Sequence, residues 1–216
     1  PPSGPEILTD NPIFYYEKQV TVGGTTADVA AFAPGQAKLY QMIDGQLSAF
    51  DTATQTYEAV GNTTGLKVNA VGVNIQDDLI YGVARNAGTD ALGQAVDAKD
   101  IVMVDARGNA YRLGDAQHSD YVGDFDADGN LWTFNAGLDR ATKIDVGTLD
   151  VNGDPQSVSY NLPASLVTDK VYDVAFDADA NVFYAVESPA AAGEAGTLHK
   201  IDLSAVPDGG EPSVVS

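Results

Sequence analysis

The sequence contains no cysteine in its 216 residues. This absence excludes disulfide bonds, thiolate metal sites and cysteine nucleophiles. A chain of this length can bury an adequate hydrophobic core without such cross-links, in one sizeable all-β domain or in two small ones. We therefore expect the core to provide most of the stability, with bound Ca²⁺ as a further candidate source.

Basic residues are scarce: 11 Lys and Arg stand against 31 Asp and Glu, and the formal net charge is −20. Such a chain is repelled by a phosphate backbone and by an anionic membrane surface. We therefore predict no nucleic-acid partner. The same acidity fits solubility in a salty medium or loops that bind hard cations such as Ca²⁺, and charge alone does not distinguish the two.

Long apolar runs and helical periodicity are also missing. No apolar run reaches the roughly 18 residues that a membrane-spanning helix needs, so no direct membrane insertion is expected. No stretch keeps apolar residues at positions i, i+3, i+4 and i+7 over three turns, which disfavours helices. The Pro-rich opening, residues 1–12, is predicted to be a linker, and we interpret the chain as a processed chain or an excised domain of a larger protein.

What the sequence does contain is a repeat. The stretch Asp124–Trp132 is predicted to be a β-turn between two short apolar runs. It recurs at Phe176–Tyr184 and Val73–Tyr81, and in a weaker form at Phe32–Tyr40. We call this repeated stretch the first marker. Its leading apolar residue, Phe125 in the stretch above, recurs at intervals of 41, 52 and 51 residues. Such a period is typical of a four-stranded propeller blade.

A second marker, an apolar residue followed by Asp, lies in the third predicted strand of every repeat. It occurs at Phe50-Asp51, Val104-Asp105, Ile144-Asp145 and Ile201-Asp202. The two markers predict an all-β chain, a β-propeller of about four four-stranded repeats, with Val29–Phe32 as the first strand of repeat one. Ile13–Val22 is expected to complete the last blade or to belong to a fifth one. A two-sheet β-sandwich is the alternative architecture.

We predict a single propeller-like domain over residues 13–216. Long loops are expected near residues 85–100 and 188–196, at equivalent places in repeats two and four. Because corresponding loops of a propeller share a face, both are expected to emerge on the same side.

The repeats, with Asp-x-Asp-Gly-Asn-Leu-aromatic and then Leu-x-Lys-Ile-Asp-Leu, resemble those of propellers in bacterial surface and secreted proteins. They are similar to the NHL and senescence-marker/gluconolactonase groups, and to a propeller family that occurs in large adhesins, including RTX-type ones. The resemblance covers about residues 28–206 and is best at 121–145 and 172–202. It implies the propeller fold and an extracellular or cell-surface location, but no activity, because one propeller scaffold hosts many functions.

Two Asp-rich segments have the spacing of a Ca²⁺-binding loop. Asp124, Asp126 and Asp128 occupy positions 1, 3 and 5, with Gly129 at position 6. Position 12 holds Asn135 where a bidentate Glu is wanted. Asp and Asn also favour an ordinary hairpin turn, which is the interpretation that we favour. The second segment, in a loop outside the repeated turn, contains Asp150, Asn152 and Asp154.

A further candidate site follows from the repeat, because the innermost strands of a propeller converge on a central channel. The predicted starts of these strands carry Asp28, Asn69, Asp120 and Asp173. Carboxylates clustered at one channel mouth would repel each other unless Ca²⁺ or a positive ligand group lay among them. Gluconolactonase-like enzymes hold their metal near that place, although the resemblance does not transfer their ligands; turn capping is the alternative. Near the same mouth, the predicted ligand-binding residues are Tyr121 and Tyr172.

Three functions are open at this level. The favoured one is a non-catalytic extracellular module of a bacterial adhesin or surface protein that binds a glycan or peptide, or acts as a spacer between other domains. The second is a Ca²⁺-dependent lactonase- or esterase-like hydrolase. The third is a peptide-binding propeller. No catalytic residue is predicted, because no Gly-x-Ser-x-Gly elbow is present and His199 is expected to face solvent.

Overall fold

The computed structural model describes residues 5–10, 13–35, 39–163, 167, 169–206 and 209–216. Within these ranges the chain forms strands joined by turns and loops. No helix in this part of the chain is long and apolar enough to cross a bilayer. Apolar, aromatic and β-branched residues are common along the strands, and Gly, Asp and Asn are common in the turns between them.

Three N-terminal strands form a sheet of their own. They are β1 (Leu8–Asp10), β2 (Ile13–Val22) and β3 (Thr25–Phe32), paired in that order. The turn between β2 and β3 holds two glycines with φ of 55° and 78°. Two successive positive φ angles fit the right-handed twist of a tight hairpin. β1 lies within the segment that we predicted to be a linker.

Four further sheets are the blades of a β-propeller. The first blade contains β4 (Tyr40–Ile43), β5 (Gln46–Asp51) and β6 (Thr56–Thr63). The second contains β7 (Val68–Asn74) and β8 (Leu79–Ala84), then a separate hairpin of β9 (Gly88–Thr89) and β10 (Ala95–Val96), then β11 (Asp100–Val104) and β12 (Ala110–Asp115). The third contains β13 (Val122–Phe125), β14 (Asn130–Phe134), β15 (Arg140–Leu149) and β16 (Pro155–Asn161). The fourth contains β17 (Val171–Asp177), β18 (Val182–Glu187), β19 (Thr197–Asp202) and β20 (Ser213–Val215).

The all-β, four-blade propeller confirms the predicted fold class, but the assignment of Val29–Phe32 to the first blade is wrong. This segment belongs to β3 and pairs with β2, so the first blade has three strands. The backbone N–H of Phe32 donates to the Asp78 carbonyl at 2.9 Å, and the Ala106 N–H donates to the Ala30 carbonyl at 2.7 Å. These bonds hold the hairpin against turns of the second blade. β2 is part of the same hairpin sheet and does not complete the fourth blade.

Each of the first three blades packs one face against the blade that follows it in the chain. We call this the forward face, and the opposite side of each blade is its receiving face. Directly paired residues of neighbouring strands point to the same side of a sheet. In the third blade Phe134 pairs with Ala141, and Trp132 pairs with Lys143, so these side chains form its forward face. Three of them share a buried cluster with fourth-blade residues Phe183, Ala185 and Ile201.

The same arrangement occurs at the two preceding interfaces. The forward face of the second blade includes Tyr81, Val83 and Met103, buried with Phe125, Leu131 and Ile144 of the third blade. The forward face of the first blade includes Tyr40, Met42, Leu47 and Ala49, packed with Ile80, Val102 and Val104 of the second blade. The N-terminal hairpin adds Ile13 and Phe32 to one cluster and Val22 and Val29 to the other. The core therefore consists of three clusters between successive blades.

Candidate functional site

A cleft of about 840 Å³ lies between the third and fourth blades. Strands β14 and β16 contribute Trp132 and Tyr160 to its wall, and the fourth blade contributes Asn181, Leu203 and Val206. The rings of Trp132 and Tyr160 stack with centroids 5.5 Å apart and an interplanar angle of 23°. The two stacked rings therefore lie together in that wall.

Asp126 fixes the turn at one end of the cleft. Its Oδ1 accepts the backbone N–H groups of Asp128 at 3.0 Å and Asn130 at 2.9 Å. Its Oδ2 accepts the indole Nε1–H of Trp132 at 2.8 Å. Gly129 completes the turn with a φ of 83°, a conformation that suits glycine. The carboxylate of Asp126 is therefore used to hold its own turn and to orient the indole.

The rim of the cleft is acidic and partly apolar. Three carboxylates line it beside Asp126, from Asp128, Asp145 and Asp150. Lys143 is the one basic residue among the described residues that line the cleft. Exposed apolar side chains extend the same wall, from Leu149, Val151 and Val158. The cleft therefore combines negative charge with apolar surface.

The second predicted metal-binding segment forms a turn at this rim. Asp150 Oδ1 accepts the backbone N–H groups of Asn152 at 2.7 Å and Asp154 at 3.1 Å. Hydrogen bonds from these N–H groups hold the pKa of Asp150 below its ordinary value, and the bond from Asp154 has the largest effect. Asp154 Oδ1 in turn accepts the backbone N–H of Asp115 at 2.8 Å, which ties the loop to the second blade.

A second cavity, of about 230 Å³, lies where the inner strands β4, β7, β13 and β17 meet. Asp124 and Asp173 both line it. Asp124 accepts the backbone N–H groups of Phe125 at 2.9 Å and Phe176 at 3.0 Å. Burial raises the pKa of Asp124 more than these two bonds lower it, and the charge of Asp173 adds to the rise. The buried Tyr40 hydroxyl, without a hydrogen-bond partner in the described part of the chain, has its pKa raised by burial to about 12.

The other channel-mouth candidates lie in different surroundings. Asp28 belongs to the hairpin strand β3, where it accepts the side-chain amide of Gln19 at 3.0 Å. Asp120 is fully buried, forms an ion pair with Arg140 and accepts hydroxyls of the third blade, from Thr133 at 2.8 Å and Thr142 at 3.1 Å. Asn69 is half-buried in β7. The structure therefore brings Asp124 and Asp173 to one cavity but places Asp28 on a separate sheet.

The two predicted ligand-binding tyrosines are both exposed. The guanidinium of Arg85 lies 5.4 Å from the ring centroid of Tyr121, within cation–π distance. Tyr172 is exposed on the fourth blade. Neither lines the two cavities.

The Asp-rich turns use their carboxylates in hydrogen bonds of their own. Within the described ranges, no group of three or more His, Asp or Glu side chains is placed to hold a metal. The oxygens of Asp126 and Asp150 already accept hydrogen bonds from their own turns. Ca²⁺ binding stays a prediction.

Sequence reasoning missed a row of three hydrogen-bonded polar side chains in the fourth blade. His199, expected to face solvent, is fully buried. Its Nε2 lies 2.8 Å from Glu187 Oε2, and its Nδ1 lies 2.7 Å from Ser216 Oγ. Neither cavity is lined by these three residues. The repeat register could have revealed the burial, because the equivalent position of the second blade is the apolar Val102.

Comparison with known proteins gives a family and distant structural likenesses. The chain matches no curated protein sequence. It is similar to a chain of a nidogen–laminin complex, at 10% identity and a TM-score of 0.48. The likeness covers 83% of this chain and 61% of the other, so this chain spans about three fifths of the other's length. A luciferin-regenerating enzyme matches at 13% identity and a TM-score of 0.45, over 91% of this chain and 76% of that one. A family model described as a repeat of unknown function, DUF6923, matches residues 31–212, so the chain belongs to this family of repeats.

Proposed function

We propose that the chain is a non-catalytic binding module that holds an extended peptide segment with basic side chains between its third and fourth blades. One observation carries the proposal: the cleft of about 840 Å³ combines an acidic rim with an apolar wall. Ligand pockets are commonly roughly 300–1,000 Å³, so the cleft has the size of a binding site.

The charge of the rim favours a cationic ligand. Asp128, Asp145 and Asp150 outnumber the single Lys143 among the described lining residues. The formal charge of −20 on the whole chain adds a field that steers cations toward the protein. Lys and Arg side chains also have aliphatic stems, which can cover the apolar wall while their charged ends reach the carboxylates.

A peptide fits the cleft better than a glycan does. Stacking on a sugar ring requires an exposed aromatic face, whereas Trp132 is only 1% exposed and its Nε1–H is bonded to Asp126. An extended peptide needs polar contacts along a groove and places for alternate side chains. The polar side chains of Gln156 and Ser157 line the same cleft and can provide such contacts.

The setting that we propose is the surface of a bacterial cell or the extracellular medium, within a larger adhesin-type protein. The resemblance of the repeats to those of surface proteins supports this setting, and so does the high negative charge, which favours solubility. Protease digestion of intact cells that carry the native protein tests the location: loss of the protein is expected, and full protection contradicts an exposed location.

Fluorescence of Trp132, the only tryptophan in the sequence, tests the binding site. Peptides that contain Lys and Arg are titrated against the same peptides with Gln at those positions. We expect the basic peptides to change the emission and to bind more tightly. Binding should weaken with salt, because the Debye length falls from about 10 Å at 0.1 M to about 3 Å at 1 M.

A pair of variants links that result to the cleft. Asp128→Asn combined with Asp145→Asn removes two rim charges at nearly constant shape, and we expect roughly three- to tenfold weaker binding of the basic peptides. Asp179→Asn is the control for the Asp128 substitution, because Asp179 is exposed in the corresponding turn of the fourth blade and does not line the cleft. Equal binding of basic and neutral peptides, or no effect of the double substitution, contradicts the proposal.

A further inference from the structure

Among the described residues, no blade packs against the forward face of the fourth blade. Strand pairing places Tyr184 beside Lys200 and Val186 beside Leu198 on this face, and Val215 extends it on the outer strand. The residues at the same register in the third blade include Trp132, Phe134 and Ala141, which are all buried. In the fourth blade, Val186 and Leu198 are each 55% exposed. Neither Val186 nor Leu198 belongs to a hydrophobic cluster of described residues.

The receiving face of the first blade is uncovered in the same way. Leu39 is 63% exposed, Ile43 is 58% exposed and Tyr57 is 43% exposed. The residues at the corresponding register of the second blade are Ile80, Ala84 and Ala110, and all three are buried in the cluster between the first and second blades. The described part of the chain therefore leaves one forward face and one receiving face exposed.

These two faces are the two halves of an interface that the chain forms three times internally. At each internal interface, a forward face of aromatic and aliphatic side chains packs on the receiving face of the next blade. The exposed forward face continues this series at the end of the fourth blade. Within one molecule the two remaining faces do not bury each other, since the side chains at both stay exposed.

We propose that the forward face of the fourth blade binds the receiving face of the first blade in a second copy of the chain. Such a contact uses two different surfaces, so it is heterologous and joins copies head to tail. Several exposed apolar side chains on one sheet face are a feature of interaction sites. The assembly is independent of the peptide cleft, which lies on the other side of the fourth blade.

Salt should affect this contact and the cleft in opposite directions. Two copies each carry a formal charge of −20 and repel each other at low ionic strength. Added salt screens that repulsion and leaves the apolar contact in place. Head-to-tail association should therefore strengthen as NaCl is raised from about 0.05 to about 0.5 M. This range includes the ~0.1 M at which the Debye length is about 10 Å.

Sedimentation velocity on the full chain tests the proposal with two complementary variants. One, Val186→Lys with Leu198→Lys, changes the forward face, and the other, Ile43→Lys with Tyr57→Lys, changes the receiving face. We expect the wild type to associate with rising concentration and each variant alone to associate at least about tenfold more weakly. An equimolar mixture should form a dimer that grows no further, because one intact face of each kind remains.

A charge-matched control separates the contact from a general surface effect. Ile7→Lys with Ile75→Lys adds the same charge at two other exposed apolar side chains and should associate like the wild type. Lysine lowers the net negative charge, so added repulsion cannot explain a loss of association. The proposal is overturned by a wild type that stays monomeric, by face variants that associate normally, or by a mixture that does not form the dimer. It is also overturned if the forward-face variant loses as much thermal stability as a core variant, because the face would then be covered within one molecule.

Discussion

The third and fourth blades differ in whether their forward faces are covered. The third places Trp132 and Phe134 against the fourth blade, where both are buried. The fourth carries Tyr184 and Val186 at the same register, and Val186 is largely exposed. Both blades are four-stranded sheets with the same strand order. The comparison teaches that the repeat determines which side chains share a face, whereas the neighbouring blade determines whether that face becomes core.

The same two blades also use their marker turns differently. Asp126 of the third blade accepts the indole N–H of Trp132 in addition to backbone N–H groups of its turn. Asp177, its counterpart in the fourth blade, accepts only backbone N–H groups among its described contacts, from Asp179 and Ala180. One turn therefore supports the wall of a cleft, while the other caps a hairpin.

The largest effect is expected from Phe134→Ala, which breaks the covered interface. Phe134 is fully buried and its ring lies 5.3 Å from that of Phe183. Its truncation should lower the free energy of unfolding by about 3–5 kcal/mol, because a cavity replaces an aromatic side chain. Val186→Ala, at the same register of the open face, should cost less than about 0.5 kcal/mol. Urea unfolding at low protein concentration measures both, and similar losses would show that the fourth blade is covered in the monomer.

A smaller loss is expected from Asp126→Ala. It removes acceptors from one turn and leaves the buried Nε1–H of Trp132 without a partner, at a cost of about 1–3 kcal/mol. Asp177→Ala removes backbone bonds only, and a cost of about 0.5–1.5 kcal/mol is expected. Chemical unfolding followed by Trp132 fluorescence gives both values. Equal costs would contradict a supporting role of Asp126 beneath the cleft.

Asp124 should make the contact between the third and fourth blades sensitive to pH. It accepts the N–H of Phe176, and its pKa is raised mainly by burial. A raised carboxyl pKa gives a stabilising contribution that is present below the ordinary value of about 3.9 and is lost as pH rises through the folded pKa. In Asp124→Asn, this fall of stability with rising pH should disappear.

Unfolding free energies of the wild type and the variant between pH 3 and 8 measure this difference. Asp150→Asn is the control of opposite sign. Because the pKa of Asp150 is lowered in the folded protein, its contribution to stability is present at pH values above the ordinary pKa and is lost as pH falls through the folded pKa. Parallel pH profiles of the wild type and Asp124→Asn would contradict the prediction.

The smallest effect is expected from Ca²⁺. The carboxylates of Asp126 and Asp150 already accept hydrogen bonds from their own turns, so the affinity of either loop should be low. A half-saturated site adds only about 0.4 kcal/mol, which corresponds to a rise in Tm of about 1 °C. Thermal melts of metal-free protein with Ca²⁺ and then with chelator measure it. A much larger rise that Asp150→Asn abolishes would instead establish a calcium site in the loop at the cleft rim.

Most of the fold was predictable because its determinants are local. The two markers identified the hairpin turns, and the strand alternation placed apolar side chains on both faces of the blades. The displacement of Val29–Phe32 from the first blade was not predictable from the marker at Phe32. That strand is placed by bonds to Asp78 and Ala106, residues far away in the sequence.

Less of the candidate site was predictable. The Asp-rich segments were identified, and the turns of Asp126 and Asp150 lie at the same end of the third blade. The cleft itself was not predictable, because residues of the fourth blade complete its lining. The burial of His199 was within reach of the repeat register, yet its partner Glu187 lies on the adjacent strand. Carboxylates in similar local sequences, such as Asp126 and Asp177, therefore have different hydrogen-bond partners.

The sequence by itself determined the repeat, the positions of its turns and the side of each strand on which apolar residues lie. These follow from turn chemistry and from a side-chain period of two, which depend on neighbouring residues only. The tertiary structure alone decided which faces are covered, where the N-terminal hairpin docks and which carboxylates share a cavity. The physical reason is that such contacts join groups far apart in the chain, as in the bond from Phe176 to Asp124, 52 residues away.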